Sequence, residues 1–390
     1  MKEEKITQKR SRSESGAILP MVIILMLALM MTGTAFLNAG ILENGLVRRE
    51  IAKTQAFNAA EAGVEAAIWQ FNYGDRPWRP WPVPWTDNDD GNPTRTETIY
   101  TSQDSSVGDY EVTVVNKDSS YPQIDSFGYV PSKEAEGKIE KRVRITLEKN
   151  HDPMFNYAIA SAGGIIIENP GTVITGSCYT IGDISIISAT VDGNAEATET
   201  VSVTDGGTVS GTITEGAEEL PFPEYESDYY QYKATSVING DLVISGVSPY
   251  AVDGILYVTG NLTIANSTLV GPGSIVAEGK INVQQNSVVG TSIDTGVSLV
   301  SAYESAFEGD IAIKIEEGIV ENPTIVWGAL WSPNGEIKIE KYSKLYGSAV
   351  SGGRHKIETG SGVIYYTEFD NDFYSYTARP TYLVQNWQEE

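Results

Sequence analysis

Gly240-Asp241-Leu242-Val243-Ile244, Gly260-Asn261-Leu262-Thr263-Ile264 and Gly279-Lys280-Ile281-Asn282-Val283 repeat one pattern, Gly-x-[Ile/Leu]-x-[Ile/Val], at intervals of 20 and 19 residues. The same pattern starts at Gly163, Gly182, Gly309 and Gly335. Alternation over so few positions, opened by a glycine turn, reads as a short half-buried strand. Such strands cannot stand alone. At a period near twenty they read as coils of a β-solenoid, each burying Ile, Val and Leu against the next and turning polar residues outward. The 58 residues between Gly182 and Gly240 approach three turns but contain Leu220-Pro221-Phe222-Pro223-Glu224-Tyr225 and run on to Tyr232. That break is expected to be a loop or short helix packed across the solenoid. The longer intervals after Gly279 and Gly309 indicate loop insertions. The solenoid is assigned to residues 155–390. Open solenoid ends need covering, and the tyrosine-rich tail from Tyr365 is expected to cap the last coil.

Upstream, residues 108–148 alternate apolar and polar. Tyr110–Val114, Ile124–Tyr129 and Ile139–Leu147 read as three strands of an antiparallel meander. Between this and the N-terminal region, residues 74–98 hold Pro77, Pro80, Pro82, Pro84 and Pro93, with Trp78, Trp81 and Trp85 among them, and read as a loop. The tryptophans are expected to pack over the neighbouring sheet. Asp87-Asn88-Asp89-Asp90-Gly91-Asn92 resembles a calcium loop only loosely. Gly91 comes one position early for an EF-hand and no Glu closes the loop, so a solvated acidic turn is expected.

Residues 1–16 form a basic leader, with Lys2, Lys5, Lys9, Arg10 and Arg12 against Glu3, Glu4 and Glu14. From Ala17 to Leu37 there are 21 residues without a charge. That length of helix matches the bilayer's hydrocarbon thickness, and the basic leader favours a cytoplasmic N-terminus. The helical pattern continues through Arg48, Arg49, Glu50 and Lys53 into Gln55-Ala56-Phe57-Asn58-Ala59-Ala60-Glu61-Ala62-Gly63, and is expected to end near Tyr73-Gly74. Residues 17–73 are therefore read as one membrane-inserted helix that becomes amphipathic outside. Gly33, Gly40 and Gly45 are its weak points.

Gly16-Ala17-Ile18-Leu19, the apolar run and the Phe57-to-Gly63 string resemble the N-terminal region of PilX-type pilus assembly proteins, which are minor pilins. The ending Gln385-Asn386-Trp387-Gln388-Glu389 resembles the close of β-helical domains attached to such N-termini. The resemblance implies cleavage by a prepilin peptidase after Gly16 and methylation of the Ala17 amine. It also implies packing of the helix, with Phe57, Glu61 and Gly63, among other pilin subunits. Major pilins carry a glutamate where this chain has Met21, which suits a minor subunit better than a bulk one. Pro20 falls in the first helical turn, where its missing amide hydrogen costs nothing.

The expected fold is mainly β with a long N-terminal helix. A small pilin-like β-meander head (residues 74–150) follows the helix, then a β-solenoid, expected as a right-handed β-helix. With 27 Lys+Arg against 52 Asp+Glu the formal net charge is −25, and the basic leader leaves the remainder more acidic still. That surface argues against nucleic acid as a partner. Lone Cys178 excludes an intrachain disulfide and reads as a small buried residue. His151 reads as a linker residue and His355 as a solenoid-turn residue. No zinc spacing, nucleophile elbow or phosphate loop occurs, so neither enzyme activity nor a cofactor or metal is expected. A polysaccharide lyase would need a cluster such as Arg354, Lys356 and Glu358 on a common face. Trp327, Trp331, Tyr342 and Tyr346 are the candidates for stacking on sugar rings if the solenoid binds polysaccharide, with coil-edge packing as the alternative. The expected function is assembly of a type IV pilus-like fibre as an envelope-anchored minor pilin. The alternative is a membrane-anchored adhesin or scaffold.

Overall fold

The computed structural model describes residues 18–72, 85–87, 92–100, 106–117, 119–150, 152–307, 309–358, 363–367, 369, 377 and 381–389. Helix α1, Ile18–Asn72, is one uninterrupted 55-residue helix, about 82 Å long. It runs through Gly33, Gly40 and Gly45 without a break.

Six strands make the head: β1 (Thr86–Asp87), β2 (Pro93–Tyr100), β3 (Ser106–Val115), β4 (Gln123–Val130), β5 (Ile139–Asn150) and a tail strand, Thr381–Glu389. They pair antiparallel in that order. The three expected strands are present, and two long strands join them. Strand β2 lies in the stretch expected to be loop. Its Pro93 is the first residue of the strand, where a missing ladder donor is tolerated. The tail was expected to cap the solenoid. Instead it returns to the head, setting Thr381 against Asn150, Val384 against Leu147 and Trp387 against Ile145. Between β5 and the tail strand the chain makes the whole solenoid, which is thus an insertion in the head sheet.

The solenoid strands form three parallel sheets of nine, nine and ten strands. The chain enters in the interior of the stack. In the first sheet Ile165–Glu168, Ile184–Ile187 and Val201–Thr204 wind outward to one end. A strap, residues 216–233, then carries the chain to the opposite end, partly as helix α2 (Ser227–Lys233). Coils beginning at Leu242, Leu262, Ile281, Ile311 and Glu336 wind back until His355–Ile357 pairs in register with Ile165–Ile167. The first and last coils therefore meet at an internal seam.

The repeat has a hydrogen-bonding reason. The residue after the glycine caps an amide of the next coil. Asp241 Oδ1 accepts from Asn261 N–H at 2.8 Å, Asn261 Oδ1 from Lys280 N–H at 2.9 Å, and Asp183 Oδ1 from Thr200 N–H at 3.0 Å. Inward Ile, Val and Leu fill one continuous core. The third sheet departs from the expected alternation because both its faces are buried. Its outward side carries Tyr179, Tyr257, Val276, Val300 and Trp331, covered by Tyr225, Tyr229 and Tyr230 of the strap, Met154 and Phe155 of the incoming chain and Phe369 of the outgoing one.

Candidate functional site: the assembly helix and the solenoid surface

Helix α1 has two unlike halves. Every large apolar side chain from Leu19 to Ile51 is exposed, from Val22 at 44% to Phe36 at 78%. The charge-poor stretch is long and apolar enough to cross a membrane, with a mean hydropathy of 2.2. Beyond Thr54 one face turns inward. Ala56, Ala59, Ala60, Gly63, Val64, Ala67, Gln70 and Phe71 are buried, a 3.6-residue period, and the helix lies across β3, β4 and β5.

The small residues of this face permit a close approach. A Cβ at Gly63 would sit 2.3 Å from Ser126 Oγ and 2.9 Å from Tyr110 Cδ2. A Cβ at Gly128 would sit 1.9 Å from the Ala56 carbonyl oxygen. Gly63 therefore serves contact within the subunit. Phe57 is half-buried against the same head core, and Glu61 is partly exposed. Gly16 and Ala17 lie outside the described residues, as do Trp78, Trp81, residues 88–91 and His151. Trp85 is buried in the head core, as expected of a packing residue.

The four aromatic candidates part company. Trp331 is fully buried, edge-on to Phe155 at 6.3 Å and to Tyr225 at 6.0 Å, so it is not a sugar platform. The strap and the entering chain close over it, which a strand pattern alone does not reveal. Trp327 and Tyr346 stack in register at 4.0 Å and 7°, and Tyr365 continues the ladder at 5.0 Å and 9°. Their facing surfaces are occupied by one another, the coil-edge packing alternative. Tyr342 is half-exposed at a corner between two sheets, in the left-handed region at φ 54°. Other coils place Asn169, Ser188, Asp205, Asn266 or Asn286 there.

Lys356 and Glu358 do not form an isolated cluster. They belong to a ladder on the outside of the first sheet: Glu316, Lys314, Glu340, Lys338, Glu358, Lys356 and Glu168, with successive gaps of 4.0, 3.3, 3.1, 3.0, 2.7 and 3.5 Å. The hydrogen bond to Glu358 raises the Lys356 pKa. Each charge is matched by neighbours, and the last rung crosses the seam.

His355 is not on a turn. It occupies an inward strand position between Ile337 and Ile165 and is fully buried at the seam. Burial pushes its pKa down to about 3; the backbone of Ala160 and Ala349 only partly offsets this, and neither ring nitrogen makes a hydrogen bond of good geometry. A signal was present in the sequence. Gly353-Arg354-His355-Lys356-Ile357 is the repeat with His in place of Ile or Leu. Cys178 is buried in the solenoid core, where burial raises its thiol to about 12. Among the described residues no group of three or more His, Cys, Asp or Glu could hold a metal ion.

No protein-family model matches the sequence, and no curated protein matches it. Among solved structures, the chain is similar to the competence-associated pilin ComZ from Thermus thermophilus, at 13% identity and a TM-score of 0.36, over 87% of this chain and 97% of that one. It is also similar to an ice-binding protein from the Antarctic ascomycete Antarctomyces psychrotrophicus, at 12% identity and a TM-score of 0.29, over 56% of this chain and 100% of that one. An ice binding protein from an Antarctic biological consortium matches at 12% identity and a TM-score of 0.31, over 58% of this chain and 91% of that one. The functional reading rests on the geometry of the chain itself.

Proposed function

We propose that this chain is a pilin-like subunit of a type IV pilus-like surface fibre, a minor subunit that displays a solenoid. One observation carries the reading: α1 buries its C-terminal half on its own head and leaves the whole apolar face from Leu19 to Ile51 bare. Exposed apolar surface on that scale needs a covering. Lipid covers the charge-free part before assembly. Residues from Leu42 to Ile51 continue beyond it among Arg48, Arg49 and Glu50, where lipid tails are a poor match and other helices a good one.

In this reading a prepilin peptidase cleaves after Gly16, and the helix then leaves the bilayer to pack among other pilin helices. The role is non-enzymatic and external, in the cell envelope. The resemblance of the Phe57-to-Gly63 string to PilX-type proteins supports it. The adhesin alternative loses support from the buried Trp331 and from the mutual stacking of Trp327 and Tyr346.

The test is incorporation. Fibres sheared from cells should carry the solenoid, and Leu42→Gln with Leu46→Gln should keep the head folded while removing the protein from fibres. Undiminished incorporation of that variant would contradict the reading.

A further inference from the structure

Helix α1 carries seven charged residues: Glu43, Arg48, Arg49, Glu50, Lys53, Glu61 and Glu65. Arg49 and Lys53 stand one turn apart, and so do Glu61 and Glu65. Arg49 and Glu65 are exposed, Lys53 and Glu61 partly so. Lys53 pairs with Glu50 within its own helix at 2.7 Å. Among the described residues Arg49, Glu61 and Glu65 have no ion-pair partner.

The spacing is selective. Arg49 to Glu61 is 12 residues, and Lys53 to Glu65 is also 12. No other separation between a base and an acid on α1 occurs twice. No two like charges stand 12 apart either. Within one chain these partners are held about 18 Å apart and cannot meet. A second, parallel helix shifted by that distance brings both pairs together at once.

We propose that neighbouring copies of this chain pack their α1 helices in parallel with an axial shift of about 18 Å, setting Arg49 and Lys53 of one copy against Glu61 and Glu65 of the next. The proposal rests on the assembly reading above and adds its register. Twelve residues are about three and a third turns, so the basic and acidic pairs lie on different faces of the helix. An interface that joins different faces with a shift does not close on itself; it extends into a fibre. The apolar stripe supplies most of the affinity. Exposed ion pairs are individually weak but fix register and exclude wrong offsets.

The experiment uses the full chain in phosphatidylcholine vesicles under oxidation. Cysteine pairs are built from the same four positions. Arg49→Cys with Glu61→Cys, and Lys53→Cys with Glu65→Cys, test the shift of 12 residues. Lys53→Cys with Glu61→Cys and Arg49→Cys with Glu65→Cys test shifts of 8 and 16. Buried Cys178 does not compete. Intermolecular disulfides are expected at the first two pairings in roughly tenfold excess over the others. Arg49→Glu with Lys53→Glu should abolish that excess in the Lys53-free pairings and lower incorporation into fibres, and adding Glu61→Lys with Glu65→Lys should restore incorporation. Cross-links that favour 8 or 16, or charge reversal without effect, would overturn the register while leaving helix association standing. No cross-link at any pairing, together with absence from fibres, would overturn the assembly reading as well.

Discussion

Asn72, the last residue of α1, and Tyr382, on the tail strand, exchange two hydrogen bonds although 310 residues separate them. Asn72 Nδ2 donates to the Tyr382 carbonyl at 3.0 Å, and the Tyr382 N–H donates to Asn72 Oδ1 at 2.9 Å. Phe71 packs on the Tyr382 ring at 4.6 Å. The end of the helix is thus tied to the strand that returns from the solenoid. Asn72→Ala should cost about 1–3 kcal/mol, because both backbone groups of Tyr382 lose their partner in a half-buried setting. Asn72→Asp, which keeps only the acceptor, should fall between. Denaturant unfolding of the full chain in detergent measures both, and an Ala variant as stable as wild type would remove the tie from the account.

Gly63 and Gly128 set the distance between α1 and the head sheet. Gly63→Ala should destabilise the head by about 1–3 kcal/mol through overpacking. Gly33→Ala, with nothing within 4 Å of its Cβ, should not. The same unfolding experiment separates them; equal effects at the two positions would contradict the close approach.

His355 makes stability depend on pH with a definite sign. Its pKa falls from an ordinary 6.5 to about 3 in the folded chain, so the unfolded chain binds the proton first. The neutral ring's contribution is fully present above pH 6.5 and is lost progressively as the pH falls toward 3. The slope reaches about 1.4 kcal/mol per pH unit. His355→Leu removes this proton uptake, so wild type should lose stability relative to the variant across that window. Parallel stability curves for the two proteins would contradict a buried neutral histidine at the seam.

Tyr342 holds a left-handed corner that other coils give to Asn, Asp or Ser. The conformation costs an L-residue with a bulky side chain about 1–2 kcal/mol. Tyr342→Asn should recover up to about 1 kcal/mol, read as a rise in the solenoid's unfolding midpoint. A lowered midpoint would mean that the Tyr342 side chain stabilises more than its backbone costs.

The coils were legible in the sequence because each inward position admits only a few side chains, so Leu242, Leu262 and Ile281 recur in step. The order of the coils was not. The repeat marks where strands are, and the pairing of His355 with Ile165 joins residues far apart by topology alone. The tail strand was hidden for the same reason, since its partner β5 lies beyond the entire solenoid. Trp331 was misread because its burial is imposed by the strap and the two connecting segments, none of which belongs to its own strand. On α1, the Ala-Gly face was visible, but the sequence did not distinguish packing on the head from packing on a neighbour. Gly128, lying under Ala56, decides that.

The central claim is that α1 is a processed assembly helix, and the mass of the mature N-terminal peptide from sheared surface material tests it most directly. The account predicts a methylated peptide beginning at Ala17. An intact Met1 terminus, found in the membrane fraction and absent from sheared material, would contradict it.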